Sequence, residues 1–138
     1  MSRVDSSATG ENKVAVVYMQ TLKIIATPGS IKDPDGIAYA PGPKRVFVSD
    51  EHGDADAVID ATTNSLVTTI PLGGGAGNTV YDSGSGHILV AVHEQNELVA
   101  LDPATAKSIG LYPVPGLENP HEARTNVSGR LGGSRGTV

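Results

Sequence analysis

The sequence has no cysteine, no tryptophan and a single phenylalanine. Lack of thiols excludes disulfides and thiolate chemistry and leaves the redox compartment open. With so little aromatic mass, the apolar set is Val, Ile, Leu and Ala, which suits a thin β-layer core. Long apolar runs are missing too. Val14 to Met19, which follows the polar stretch MSRVDSSATGENK, is far shorter than a signal-peptide core or a membrane span. The chain therefore reads as soluble with no signal peptide of its own, in an unknown compartment, with no membrane partner. Basic residues are scarce: 10 Lys and Arg against 15 Asp and Glu give a formal charge of -5. Lys44-Arg45 is the only adjacent basic pair, and Arg124, Arg130 and Arg135 are scattered. Such a surface repels a phosphate backbone, so no nucleic acid is expected as a partner. No His-Glu-x-x-His motif occurs. The run Gly73 to Gly77 is followed by neither a Lys-Ser/Thr pair nor a helical pattern, so it reads as a connection between repeats.

What the sequence does have is an internal repeat. Tyr39 returns as Tyr81, Asp60 as Asp102, Thr63 as Thr105 and Pro71 as Pro113, each 42 positions later. The same offset lays Val46-Phe47-Val48 on Ile88-Leu89-Val90 and Val58-Ile59-Asp60 on Ala100-Leu101-Asp102. Within the first unit, short apolar runs alternate with turn residues and predict four strands: 36–40, 45–49, 57–60 and 66–70. The second unit repeats them at 78–82, 87–92, 97–101 and 108–112. Four short antiparallel strands in about 42 residues is the pattern of one blade of a β-propeller.

Val46-Phe47-Val48-Ser49-Asp50, the stretch from Asp60 to Pro71, and Asp102-Pro103-Ala104-Thr105 resemble the strand-two and Asp-x-x-Thr-Asn turn motifs of YVTN-repeat β-propellers, of the lactonase-like and surface-layer type. The resemblance covers residues 14 to 131. It implies an all-β chain, a β-propeller fragment of about three four-stranded blades, from a family that is often exported. The expected organisation is a flexible N-terminal segment 1–12, a half blade 13–30, blades 31–73 and 74–116, a partial blade 117–131 and a flexible tail 132–138. Two whole blades and two parts do not close a ring, and open blades leave strand edges exposed. The expected remedy is oligomerisation: a homodimer in which strands of two copies complete a hybrid blade.

Propeller loops between strands two and three, and between blades, share one end of the sheet stack, where a site is expected. They carry Asp35, Asp50, Glu51, Asn78, His93, Glu94 and Asn119 as candidate ligand-binding residues. His52, His121 and Glu122 are candidate catalytic residues. His52, His93 and His121 are also candidate ligands for a divalent metal, because imidazole beside carboxylate suits such ions. His87 lies at the other end and reads as structural. Asp60 and Asp102 read as turn-closing residues that accept local amide bonds. The first functional expectation is a binding or interaction module for a small molecule, peptide or glycan. A second, implied by the lactonase-like and streptogramin-lyase relatives of the family, is a metal-assisted hydrolase or lyase formed when the ring is assembled. A third is a truncated or engineered fragment without independent function.

Overall fold

The computed structural model describes residues 2–29, 31–93, 95–114 and 116, and the backbone at 124–125 and 131–133. Strand β1 (Arg3–Ala8), a 3-10 turn at Thr9–Glu11, β2 (Lys13–Tyr18) and β3 (Lys23–Ala26) form a three-stranded antiparallel sheet. Strands β4 (Pro34–Ala40), β5 (Arg45–Asp50), β6 (Ala55–Asp60) and β7 (Ser65–Pro71) form the second sheet in sequence order. Strands β8 (Ala76–Asp82), β9 (His87–Val92), β10 (Glu97–Asp102) and β11 (Lys107–Pro113) form the third. A last pair, β12 (Arg124–Thr125) with β13 (Leu131–Gly133), follows. The sheets pack face to face, with β4 beside β8 as their inner strands. No helix among the described residues is long and apolar enough to cross a membrane.

The 42-residue period is written into the backbone. Left-handed φ angles fall at Asn12, Asp54 and Asn96, and again at Leu22, Asn64 and Ala106. Asparagine tolerates this region, whereas Leu22 and Ala106 hold it at a cost of roughly 1–2 kcal/mol each, so the turn is imposed by the sheets around it. Register shifts between the third and fourth strands occur at Val16/Val17, Val58/Ile59 and Ala100/Leu101, at the same place in each blade. Each bulge adds twist before the outermost strand. Asp60 Oδ1 accepts the amides of Thr62 and Thr63, and Asp102 Oδ1 accepts that of Ala104, so both close turns as expected. Those amide bonds, Thr62 first, hold the Asp60 carboxyl below its usual range.

Blades are joined by apolar side chains and by arginines. Val14 of the first blade packs with Val46, Val48, Ala57 and Ile59 of the second. Phe47, Val58 and Ile70 then pack with Ile88, Val90 and Val99 of the third. At the foot of the stack, Arg3 donates to the Ala61 carbonyl at 2.6 Å and to Asn64 Oδ1 at 2.7 Å. Arg45, one repeat later, donates to the carbonyls of Pro103 at 3.1 Å and Ala104 at 2.8 Å. His87 holds the next equivalent place, at the foot of β9.

The structure differs from the sequence reading at the N-terminus. Residues 1–12 are expected as a flexible segment, yet β1 occupies 3–8 and pairs with β2 from Arg3↔Tyr18 to Ala8↔Lys13. RVDSSA has too few apolar residues to read as a strand, and it is held instead by backbone pairing and by the Arg3 clamp. The first blade thus has strands two, three and four. In the expected tail 132–138, Gly132 and Gly133 belong to β13; residues 134–138 lie outside the described residues.

Candidate functional site

The loops after β5 and β9, and the connections into β4 and β8, lie at the end of the stack opposite the arginines. Their backbones are fixed by matching bonds: the Glu51 amide donates to the Asp33 carbonyl at 3.2 Å, and the His93 amide to that of Gly75 at 3.0 Å. Glu51 and His93 are therefore one position of the repeat, carried on neighbouring blades. Their side chains approach, with His93 Nδ1 3.6 Å from Glu51 Oε1. This is an electrostatic contact beyond normal hydrogen-bond length.

Asp50 is buried and structural. Its Oδ1 accepts the amides of Asp33 at 3.1 Å and Gly53 at 2.9 Å, and its Oδ2 accepts that of Lys32 at 3.2 Å. One carboxylate thus ties the chain entering β4 to the loop leaving β5, and a Cβ on Gly53 would collide with it. His52 stands outside this knot, its side chain 77% exposed, with Nδ1–H donating to Asp33 Oδ2. The carboxylate orients the ring and leaves Nε2 as the nitrogen free to meet a ligand. Asp35 is exposed, and its carbonyl accepts the Ser7 hydroxyl at 2.8 Å. Asn78 is half-buried between the inner strands, its Oδ1 turned to the Thr79 amide.

Of the residues expected at the site, Asp35, Asp50, Glu51, His52, Asn78 and His93 therefore lie at one end of the stack, and only Glu51 with His93 are in contact. Asp33, which the sequence reading passed over, is the partner of His52. Glu94, Asn119, His121 and Glu122 lie outside the described residues. Among the described residues no three His, Cys, Asp or Glu side chains converge as a metal-binding group. His52 is committed through Nδ1 to Asp33 and His93 leans on Glu51, so the described imidazoles do not assemble a site for a divalent metal.

Charge is segregated along the stack. Around the second blade the loop end bears Asp33, Asp35, Asp50, Glu51 and Asp54 against Lys32. The opposite end bears Arg3, Lys23, Lys44, Arg45 and Lys107, with Asp5 paired to Arg3 and with Asp60, Asp82 and Asp102 accepting turn amides.

A further carboxylate escaped the sequence reading. Asp56, at the second position of β6, is fully buried between the second and third blades, and Thr79 donates its hydroxyl to Oδ1 at 3.3 Å. Burial pushes its pKa up to about 8, against a smaller opposing effect of the Thr79 bond. In the segment Asp54-Ala55-Asp56-Ala57 it resembles a loop residue. The signal that identifies it is the repeat, because Val14 and Leu98 hold the equivalent places.

No family model matches the chain, and no curated protein matches it in sequence. Among solved structures it is similar to Kuenenia stuttgartiensis hydrazine synthase, with a TM-score of 0.86 and 17% identity over 94% of this chain and 38% of that one. It is also similar to the dihydro-heme d1 dehydrogenase NirN in complex with DHE, with a TM-score of 0.75 and 14% identity over 93% of this chain and 29% of that one. Both are β-propeller proteins, and the fold of this chain is an all-β propeller fragment. The chain spans well under half the length of either neighbour. At these identities the likeness speaks to fold alone.

Proposed function

We propose that the chain is part of a YVTN-repeat propeller that works as a binding module, and that its acidic loop end takes a cationic ligand, either a small cation-bearing molecule or a basic peptide. The supporting observation is the separation of charge: Asp33, Asp35, Asp50, Glu51 and Asp54 outnumber Lys32 at one end, with the oriented imidazole of His52 among them. Such a field attracts positive ligands and repels acidic ones. The hydrolase or lyase reading finds no comparable support, since the described residues assemble neither a metal site nor a nucleophile with its base.

Fluorescently labelled pentalysine and pentaglutamate peptides are suitable probes, followed by anisotropy at low and moderate salt. Pentalysine should bind, weaken as salt rises, and weaken about threefold to tenfold on combining Asp35→Asn with Glu51→Gln. Equal behaviour of the two peptides would remove the reading.

A second copy of the chain is the proposed cover for the first blade. Val4, Ala15 and Val17 are partly exposed there, whereas their equivalents Val46, Ala57 and Ile59 are buried against the preceding sheet. Beside them, between β1 and β4, a cleft of about 880 Å³ is lined by Arg3, Asp5, Ile37, Tyr39 and Val46. In the other blades an inner strand fills the corresponding place. Light scattering of the purified chain is expected to return a dimeric mass; a monomeric mass at tens of micromolar rejects self-completion.

A further inference from the structure

The joint between the second and third blades departs from the rule set by the joint before it. Val14 and Ile37 both belong to the apolar packing of the first joint, Val14 in its buried cluster and Ile37 against that cluster. One repeat later the same two places hold Asp56 and Thr79. Asp56 is 0% exposed, its Oδ1 accepts the Thr79 hydroxyl, and its Oδ2 has no hydrogen-bond partner among the described residues. The residues paired with it across the sheet are Ser49 on β5 and Ile70 on β7. Neither these nor Thr79 on β8 is charged.

Tyr81, two residues along β8 from Thr79 and on the same face, brings no positive charge, and the charged groups of the described neighbouring strands lie elsewhere. Arg45 sits at the foot of β5, Asp50 at its head on the other face, bound by three amides. Asp82 caps the turn at the foot of β8, His87 begins β9, and His93 beyond β9 leans on Glu51. On β6 itself Asp60 caps the turn at the far end. Among the described residues no countercharge therefore meets Asp56, and a buried carboxylate so placed is costly unless it is protonated or reaches water.

We propose that Asp56 is a proton-operated latch between the second and third blades, closed while its carboxyl holds a proton and loosened when that proton passes to water. Asp50 follows Ser49, and Asn78 precedes Thr79, so the loosened joint lies directly under two residues of the loop end. The latch concerns the joint itself and stands whether or not that end binds cations.

Hydrogen exchange of the full chain across the pH range tests it, read as protection factors so that intrinsic exchange cancels. The folded pKa of Asp56 lies above the unfolded value of 3.8, so the closed state retains a proton that the open state releases. Stability of the joint is thus greatest in acid and is lost as pH rises toward about 8. Protection of Ala55–Ala57 and Asn78–Val80 should fall by about tenfold per pH unit through this window, then level off. Asp56→Asn should abolish the slope. Asp56→Val combined with Thr79→Ile, which recreates the Val14–Ile37 pair, should do so too and keep protection high even if the asparagine variant folds poorly. A slope of the same size in the double variant, or a flat profile in the unaltered chain, overturns the latch.

Discussion

Phe47→Ala is expected to lower the unfolding free energy by about 3–5 kcal/mol, a large share of the 5–15 kcal/mol typical of a domain. Phe47 is the largest fully buried side chain and the only phenylalanine. It sits mid-strand on β5, packed with Val58 and Ile70 of its own blade and with the inward side chains of the third. Truncation leaves a void at a joint between two sheets, and neither sheet can move in to fill it without breaking its register. Urea unfolding followed by circular dichroism measures the loss. A change below about 1 kcal/mol, typical of surface positions, would show that the joint between these blades is not the main core.

Gly36→Ala is expected to cost about 3 kcal/mol, at the upper end of overpacking penalties. A Cβ there would lie 2.5 Å from Asn78 Oδ1, 2.6 Å from the Thr79 nitrogen and 2.8 Å from the Asn78 Cα. Most of that obstruction is backbone of the next inner strand, so rotamer changes do not relieve it. The Gly36 amide also donates to the Ser49 hydroxyl at 2.7 Å, and this bond has to move with it. Gly10→Ala is the control, because nothing lies within 4 Å of a Cβ at Gly10. Thermal melts of the two variants should separate clearly, and coincident melts would mean that the inner strands are not in close contact.

Much of the fold was legible because the repeat reports on itself. Tyr39 and Tyr81 pair with Val46 and Ile88 in the same register, and Asp60 and Asp102 close the same turn. The strands extend one or two residues beyond their apolar runs, as in β6, which begins at Ala55. Backbone pairing continues past the last side chain that needs burial. β1 is illegible for the same reason: its polar sequence is held by backbone pairing with β2 and by the distant contacts of Arg3. At the loop end, sequence could not tell Asp50 and Glu51 apart. One is consumed by three backbone amides and the other faces a histidine, a difference set by strand geometry rather than residue type. Asp56 is the opposite case, an ordinary residue in a polar stretch whose oddness emerges only from comparison with Val14 and Leu98.

Among the described residues the arginine contacts lie at the foot of the stack. Arg3 and Arg45 each fasten the second strand of one blade to the third turn of the next, through charge-assisted bonds that resist stretching. Relative motion of neighbouring blades therefore pivots about these points, like a hand fan about its rivet. A displacement too small to disturb the riveted end becomes largest at the rim, so the ring of loops is where any spreading of the sheets is amplified.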